Sequence, residues 1–118
     1  MYKVYFYKNQ SGKQPALDFI IELKNKDDKS SRILFNKIVD YIQVLSLYGL
    51  SAGQPYIKHI EGMLWELRPR NKRFFFVAWT GNEFIILHQF TKQSRKMPKS
   101  ELERARREME DIINGNQK

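Results

Sequence analysis

The chain contains no cysteine. Disulfides and thiolate-held metals are therefore excluded, and the absence fits a reducing compartment. Only two histidines occur, His59 and His88, and they lack metal-ligand spacing. The six glycines are scattered, so there is no glycine-rich phosphate loop. No Ser-His-acid arrangement stands out. The longest wholly apolar run is the six residues from Phe74 to Trp79, far short of the roughly 20 that a bilayer span needs. The opening MYKVYFYKNQ has no apolar core, which predicts neither signal peptide nor membrane anchor. With 118 residues and a 42% hydrophobic share to fill one core, the expectation is one soluble, cytoplasmic domain over 1–118.

Anions are scarce where cations gather. The net charge is +8 with a pI of about 9.8. Between Arg68 and Lys99 stand Arg68, Arg70, Lys72, Arg73, Lys92, Arg95, Lys96 and Lys99 against the single anion Glu83, a net +7. A surplus focused this way concentrates anions locally and speeds encounter with a polyanion, nucleic acid above all. The alternative is a solvated, solubilising surface.

Periodicity supplies the frame for these charges. Residues 2–8 alternate, with Tyr2, Val4 and Phe6 on one face and Lys3, Tyr5 and Tyr7 on the other, which predicts a strand. Asn9 to Gln14 is a turn. Pro15 suits the first turn of a helix reaching about Asn25. Asp28 or Ser30 opens a second helix with the stripe Leu34, Ile38, Tyr41, Ile42 and Leu45, and Gly49 stops it. These two helices form a hairpin. Tyr56 to Ile60 is a short β-like stretch, and Glu61-Gly62 a turn. Leu64 to Arg68 alternates, with Trp65 and Leu67 on one face and Leu64, Glu66 and Arg68 on the other. Arg73 to Thr80 is dense in aromatic and branched residues, as a central strand is. Gly81-Asn82 is a hairpin signal before the strand Glu83 to Phe90. A basic loop, Thr91 to Met97, precedes Pro98 and a Ser100-Glu101-Leu102-Glu103 capping box. The last helix carries Leu102, Ala105, Met109, Ile112 and Ile113 to Gly115, and Asn116 to Lys118 is expected to fray. The fold class is thus α+β: a small antiparallel sheet in the order β-α-α-β-β-β-α, with an N-terminal helical hairpin and a C-terminal helix. In such a meander, Arg68 at one strand end, Arg73 at the next strand start and the loop Lys92 to Lys96 all reach one edge of the sheet. They form one patch.

Other candidates have two readings each. His88, within a strand, is either a satisfied, half-buried histidine or an acid–base group. His59 is exposed near a turn. Glu66 shares a face with Arg68 and is either half of a cross-strand ion pair or a general base beside the patch. Trp65, Phe74, Phe76 and Trp79 read as core. Tyr2, Tyr5, Tyr7 and Phe90 would stack bases if exposed, although core is the better reading for each.

The stretch LWELRPRNKRFFFVAWTGNEFIILHQFTKQSRKMPKSELERA resembles the phage-derived Gp49-like, HigB-type branch of the RelE/ParE toxin superfamily. The likeness lies in the Leu-Trp-Glu-Leu-Arg strand, the arginine opening the next strand, the Gly-Asn hairpin, the Leu-His-x-Phe-x-Lys strand end, and the basic loop, proline and amphipathic helix that follow. It spans about residues 56–110. The resemblance implies a RelE-like fold and a toxin of a type II toxin–antitoxin pair that cuts mRNA in the ribosomal A site. It implies a helix-turn-helix, HigA-like antitoxin as partner, the ribosome and mRNA as targets, operator DNA reached through the antitoxin complex, and no membrane.

By the same resemblance, Arg68 and Arg73 carry the superfamily's basic sheet positions, and Lys92, Arg95 and Lys96 those of the loop. Some members place a tyrosine near the start of the last helix. This chain has none after Tyr56 and has Met97 near that place. RNA cleavage without metal uses the 2′-hydroxyl as nucleophile and needs a base, an acid and cations around the phosphorane. The expected catalytic set is Arg73, Arg68, Lys92, Glu66 and His88. Arg70, Lys72, Arg95, Lys96 and Lys99 are the expected RNA contacts, and neither cofactor nor metal is expected. A non-catalytic nucleic-acid- or ribosome-binding module and a protein-interaction domain are the alternatives.

Overall fold

Neighbouring side chains on a strand point to opposite faces, so Phe74-Phe75-Phe76-Val77 demands a cover on both sides. A computed structural model, which describes residues 1–115, supplies it. The elements are β1 Lys3–Phe6, α1 Pro15–Lys24, α2 Lys29–Tyr48 with a 3-10 turn Gly49–Ala52, β2 Ile57–Glu61, β3 Leu64–Leu67, β4 Lys72–Thr80, β5 Glu83–Thr91 and α3 Lys99–Ile113. The strand order is β1-β5-β4-β3-β2, which puts β4 at the centre. Phe74 and Phe76 join Ile20, Ile38 and Leu45 beneath the α1–α2 hairpin. Phe75 and Val77 join Leu87, Ala105 and Ile112 beneath α3. The result is a three-layer α+β fold.

Two features of the sheet differ from expectation. The Tyr56–Ile60 stretch supplies a full strand, β2, antiparallel to β3, so the sheet has five strands. β1 runs parallel to β5, pairing Lys3 with Glu83 and Phe6 with Ile86, so the sheet is mixed. Tight hairpins force β2 to β5 to alternate in direction. The long crossover through α1 and α2 leaves β1 free of that constraint.

The helix ends follow local chemistry. Pro15 occupies the first position of α1. Asp28 caps α2, its carboxylate accepting the Ser31 N–H at 2.9 Å. Gly49 ends α2 at a positive φ of 59°, and a Cβ there would lie 2.6 Å from the Tyr2 ring. The expected capping box of α3 does not form. Pro98 is the N-cap, with the Leu102 N–H donating to its carbonyl at 3.1 Å and no side-chain cap. The helix begins at Lys99, which places Ser100 inside its first turn rather than at the cap. The expected fraying of Asn116, Gln117 and Lys118 lies outside the described residues.

By length and composition the stretch Lys29–Ala52, which contains an 18-residue window of mean hydropathy 1.2, is apolar enough to cross a membrane. Its stripe Leu34, Ile38, Tyr41, Ile42 and Leu45 instead packs on the sheet. The N-terminal segment is tied down by the last helix, the Tyr7 hydroxyl donating to Asp111 Oδ2 at 2.6 Å.

Two outcomes follow from this packing. Phe75→Ala removes a fully buried ring and should cost about 3–5 kcal/mol in denaturant unfolding. Burial first, and the Asp111 carboxylate second, push the Tyr7 phenol above its ordinary value. A raised folded value means that its stabilisation is complete below the unfolded value of about 10 and fades as pH climbs further. Tyr7→Phe should therefore flatten the fall of melting temperature above about pH 10.

Candidate functional site

The connection between β3 and β4 is four residues, Arg68 to Asn71. Arg70 makes it short by adopting a positive φ of 55°, and the Lys72 N–H donates to the Pro69 carbonyl at 3.0 Å. Arg73 opens β4 directly after it. Its Nη1 donates to the Arg70 and Lys72 carbonyls at 2.9 and 2.8 Å, so the guanidinium is anchored by the turn that delivers it. On the other flank β5 pairs Phe90 with Arg73, and the Lys92 N–H donates to the Asn71 carbonyl at 2.8 Å. On the near flank β2 pairs Lys58 with Glu66.

Strand parity then gathers Lys58, Glu66, Arg68, Arg73 and Lys92 on the sheet face that carries α3, just past the start of that helix. With Arg95 and Lys96 they line a cleft of about 310 Å3, closed by Phe90, Met97 and Leu102. That volume is at the small end of ligand sites. An adjoining cavity of about 460 Å3 shares Arg73, Lys92 and Arg95 and adds Arg70 and Asn71. The two sequence clusters thus form one patch.

Glu66 is the anion at its centre. It is 4% exposed, and its Oε1 lies 3.4 Å from Arg68 Nε and 3.8 Å from Arg73 Nε. It is a buried group shared by two guanidiniums, one on its own chain segment and one on the next strand, rather than half of an exposed pair. Burial pushes its carboxyl up, against the pull of Arg68, Arg73, Lys58 and Lys92, and burial wins. Arg73 is 8% exposed. Burial, then Arg68, lowers its guanidinium from the ordinary value, yet an arginine stays charged at neutral pH. Arg68 Nε is buried and makes no hydrogen bond among the described residues. A buried donor left this way costs about 1–3 kcal/mol. An oxyanion in the cleft would satisfy it with a charge-assisted bond.

Not every predicted residue reaches the cleft. Lys72 turns to the opposite face, where its Nζ donates to Thr91 Oγ1 at 2.6 Å and sits 5.1 Å over the Phe19 ring. Lys99 lines a separate cavity beyond the 92–98 loop, shared with Lys96. His88 is buried, 1% exposed, with both ring nitrogens against carboxylates. His59 sits at the rim, its Nε2 donating to the Gly62 carbonyl at 2.8 Å and its ring against Trp65. Tyr7 and Phe90 are buried, and Tyr2 and Tyr5 pack on the two cores.

Lys58 is the cleft residue that sequence reasoning missed. The chain turns at Gly62-Met63, one residue later than the expected Glu61-Gly62, and that turn alone would pair Lys58 with Leu67 and face it away from Glu66. A bulge between His59 and Glu61 shifts the register by one and sets Lys58 opposite Glu66. The lysine and the alternation were visible; the bulge was not.

A cleft that holds phosphates makes a salt-dependent contact. The slope of log affinity for single-stranded RNA against log salt should drop by about 0.7 in each of Arg68→Ala, Arg73→Ala and Lys92→Ala. Lys72→Ala, on the other face, should leave the slope unchanged.

Residues 21–110 match the model of the family described as Phage derived protein Gp49-like (DUF891). That span takes in every cleft residue from Lys58 to Leu102. No curated protein matches the chain. The chain belongs to the Gp49-like phage-derived family, a toxin-like, RelE-type branch of the RelE/ParE-like superfamily.

Proposed function

We propose that this protein is the toxin of a type II toxin–antitoxin pair and acts as a ribosome-dependent mRNA endoribonuclease. One observation carries the reading: a buried carboxylate, Glu66, held above its usual range amid converging cations, beside an Arg68 donor with no hydrogen-bond acceptor among the described residues. A carboxylate made more basic by burial suits proton abstraction, and the cations suit a phosphodiester.

In the reaction, the ribose 2′-hydroxyl gives its proton to Glu66 and attacks the adjacent phosphorus. Negative charge grows on the phosphorane oxygens and meets Arg68 and Arg73. The bond to the 5′-oxygen breaks, and that oxygen takes a proton from Lys92 or Lys96. The products are a 2′,3′-cyclic phosphate and a 5′-hydroxyl end. Lys58, Arg70 and Arg95 hold the flanking backbone. The cleft is open and poor in conventional acids, so free RNA should be cut slowly. Orientation of the strand by the ribosome supplies the missing contribution, on the order of 7–11 kcal/mol. The expected partner is a helix-turn-helix antitoxin whose complex with the toxin binds operator DNA, and the place of action is the cytoplasm.

Expression with and without the neighbouring reading frame, followed by mapping of mRNA 5′ ends, tests the proposal. Arrest with new internal ends in coding sequence, relieved by the neighbour, is the expected result. Arg73→Ala should stay folded and lose toxicity, and an equally toxic folded variant would contradict the site. Glu66→Gln should lower cleavage by about 10²–10⁴-fold. The wild-type rate should fall on the acid side as Glu66 gains its proton, at a pH above the usual carboxylate range, and this limb should vanish in Glu66→Gln. Salt-dependent binding without any cut in a translating extract would instead mark a non-catalytic binding module.

A further inference from the structure

His88 stands outside the cleft, and its surroundings give it another task. Its Nδ1 lies 2.6 Å from Glu108 Oε1 and its Nε2 2.9 Å from Glu101 Oε1. Both glutamates belong to α3, two turns apart on one face. The Phe75 ring covers the imidazole at 5.5 Å. A bulge makes this reach possible. Phe74 pairs with Gln89 but Phe76 pairs with Ile86, so β5 holds an extra residue opposite Phe75. Leu87 and His88 therefore both turn toward α3.

The loop from Lys92 to Pro98 joins β5 to α3 and carries Lys92, Arg95 and Lys96 into the cleft. Among the described residues its hydrogen bonds are few: the Lys92 N–H to the Asn71 carbonyl, a 3.4 Å contact from Ser94 Oγ to the Lys96 carbonyl, and the Leu102 N–H to the Pro98 carbonyl where α3 begins. Its two ends meet at one ring, because His88 lies just before the loop and Glu101 just after it.

We propose that His88 is the positioning residue of the cleft. As an imidazolium donating through both nitrogens, it locks α3 to β5 and so fixes where the loop presents its cations. The proposal rests on reading the cleft as an RNA site. An ionised carboxylate only accepts hydrogen bonds, and a neutral imidazole has one N–H. Two carboxylate contacts thus need the charged ring. The groups facing it are Glu101, Glu108 and Arg104 from α3, with Arg104 Nε on Glu108 Oε2 at 3.1 Å, and uncharged Phe75 from β4. Tyr7 and Asp111 lie beyond Glu108. Two cations and two anions balance in this cluster, which is what burial of charge requires. Loss of the ring proton removes one N–H and breaks one contact.

The test uses the full chain with ¹⁵N-labelled histidine. At pH 7 both His88 ring nitrogens should show the protonated imidazolium signature. Amide exchange in residues 92–98 should be slow in the wild-type protein at the same pH. His88→Gln, which keeps one donor pair on a shorter plane, should fold and speed loop exchange at least tenfold. Its cleavage kcat, measured well below its melting temperature, should fall on the order of 10²-fold, by more than KM rises. A purely structural histidine would lower the melting temperature and leave kcat of the folded protein unchanged. If His88→Gln does not fold, Glu101→Gln, which keeps the Glu108 contact, should show the same loop effect. A neutral ring at pH 7, or unchanged loop exchange in whichever variant folds, overturns the proposal. If wild-type protein cuts no mRNA, the RNA reading fails, and the ring signal and loop exchange still decide the clamp.

Discussion

The cover on both faces of β4 is the constraint from which the rest of the molecule follows. Phe74 and Phe76 are buried by one helical layer and Phe75 and Val77 by the other. A strand so placed cannot slide, since a one-residue slip exchanges its two faces. Its first residues therefore stop at a fixed edge of the sheet. Arg73 is delivered there, and β3 and β5, hydrogen-bonded on either side, deliver Arg68 and Lys92 to the same spot. The apolar run and the charged run beside it are thus one device: burial places cations that would otherwise stay apart.

Placing them together is electrostatically unfavourable. Two unit charges about 4 Å apart repel by roughly 4 kcal/mol at an effective dielectric of 20. Glu66 offsets this, but it is itself pushed up by burial, and Arg68 Nε keeps no acceptor among the described residues. The arrangement is under-neutralised by its own side chains. Proteins tolerate such local conflict where a ligand resolves it. A phosphodiester would bring the missing negative charge and the missing acceptor at once. That is the physical content of the functional proposal, and it uses the same residues that make the isolated cleft costly.

Much of this was legible in the sequence because it rests on local rules. Pro15, Asp28 and Gly49 mark helix ends by backbone chemistry alone, and the density of aromatic residues marks β4. The convergence of Arg68, Arg73 and the basic loop follows from meander topology. What escaped depends on register and on where α3 begins. Two bulges, one near His59 and one opposite Phe75, bring Lys58 to Glu66 and aim His88 at α3. Neither has a signature in the residues that flank it. Ser100 to Glu103 reads as a capping box, but the helix already begins at Lys99 with Pro98 as its N-cap, so Ser100 lies inside it. Lys72 could have been separated from Arg73 by parity, since adjacent strand residues face opposite ways. The charge total obscured that, because it counts cations without regard to face.

The most direct test of the account is a structure of the protein with a short RNA blocked at the cut site by a 2′-O-methyl group. The account requires the scissile phosphate in the cleft, with one oxygen accepting from Arg68 Nε, another from the Arg73 guanidinium, and the modified ribose oxygen beside Glu66. RNA lying on the opposite sheet face, or touching the basic loop while Arg68 Nε stays without an acceptor, would contradict it.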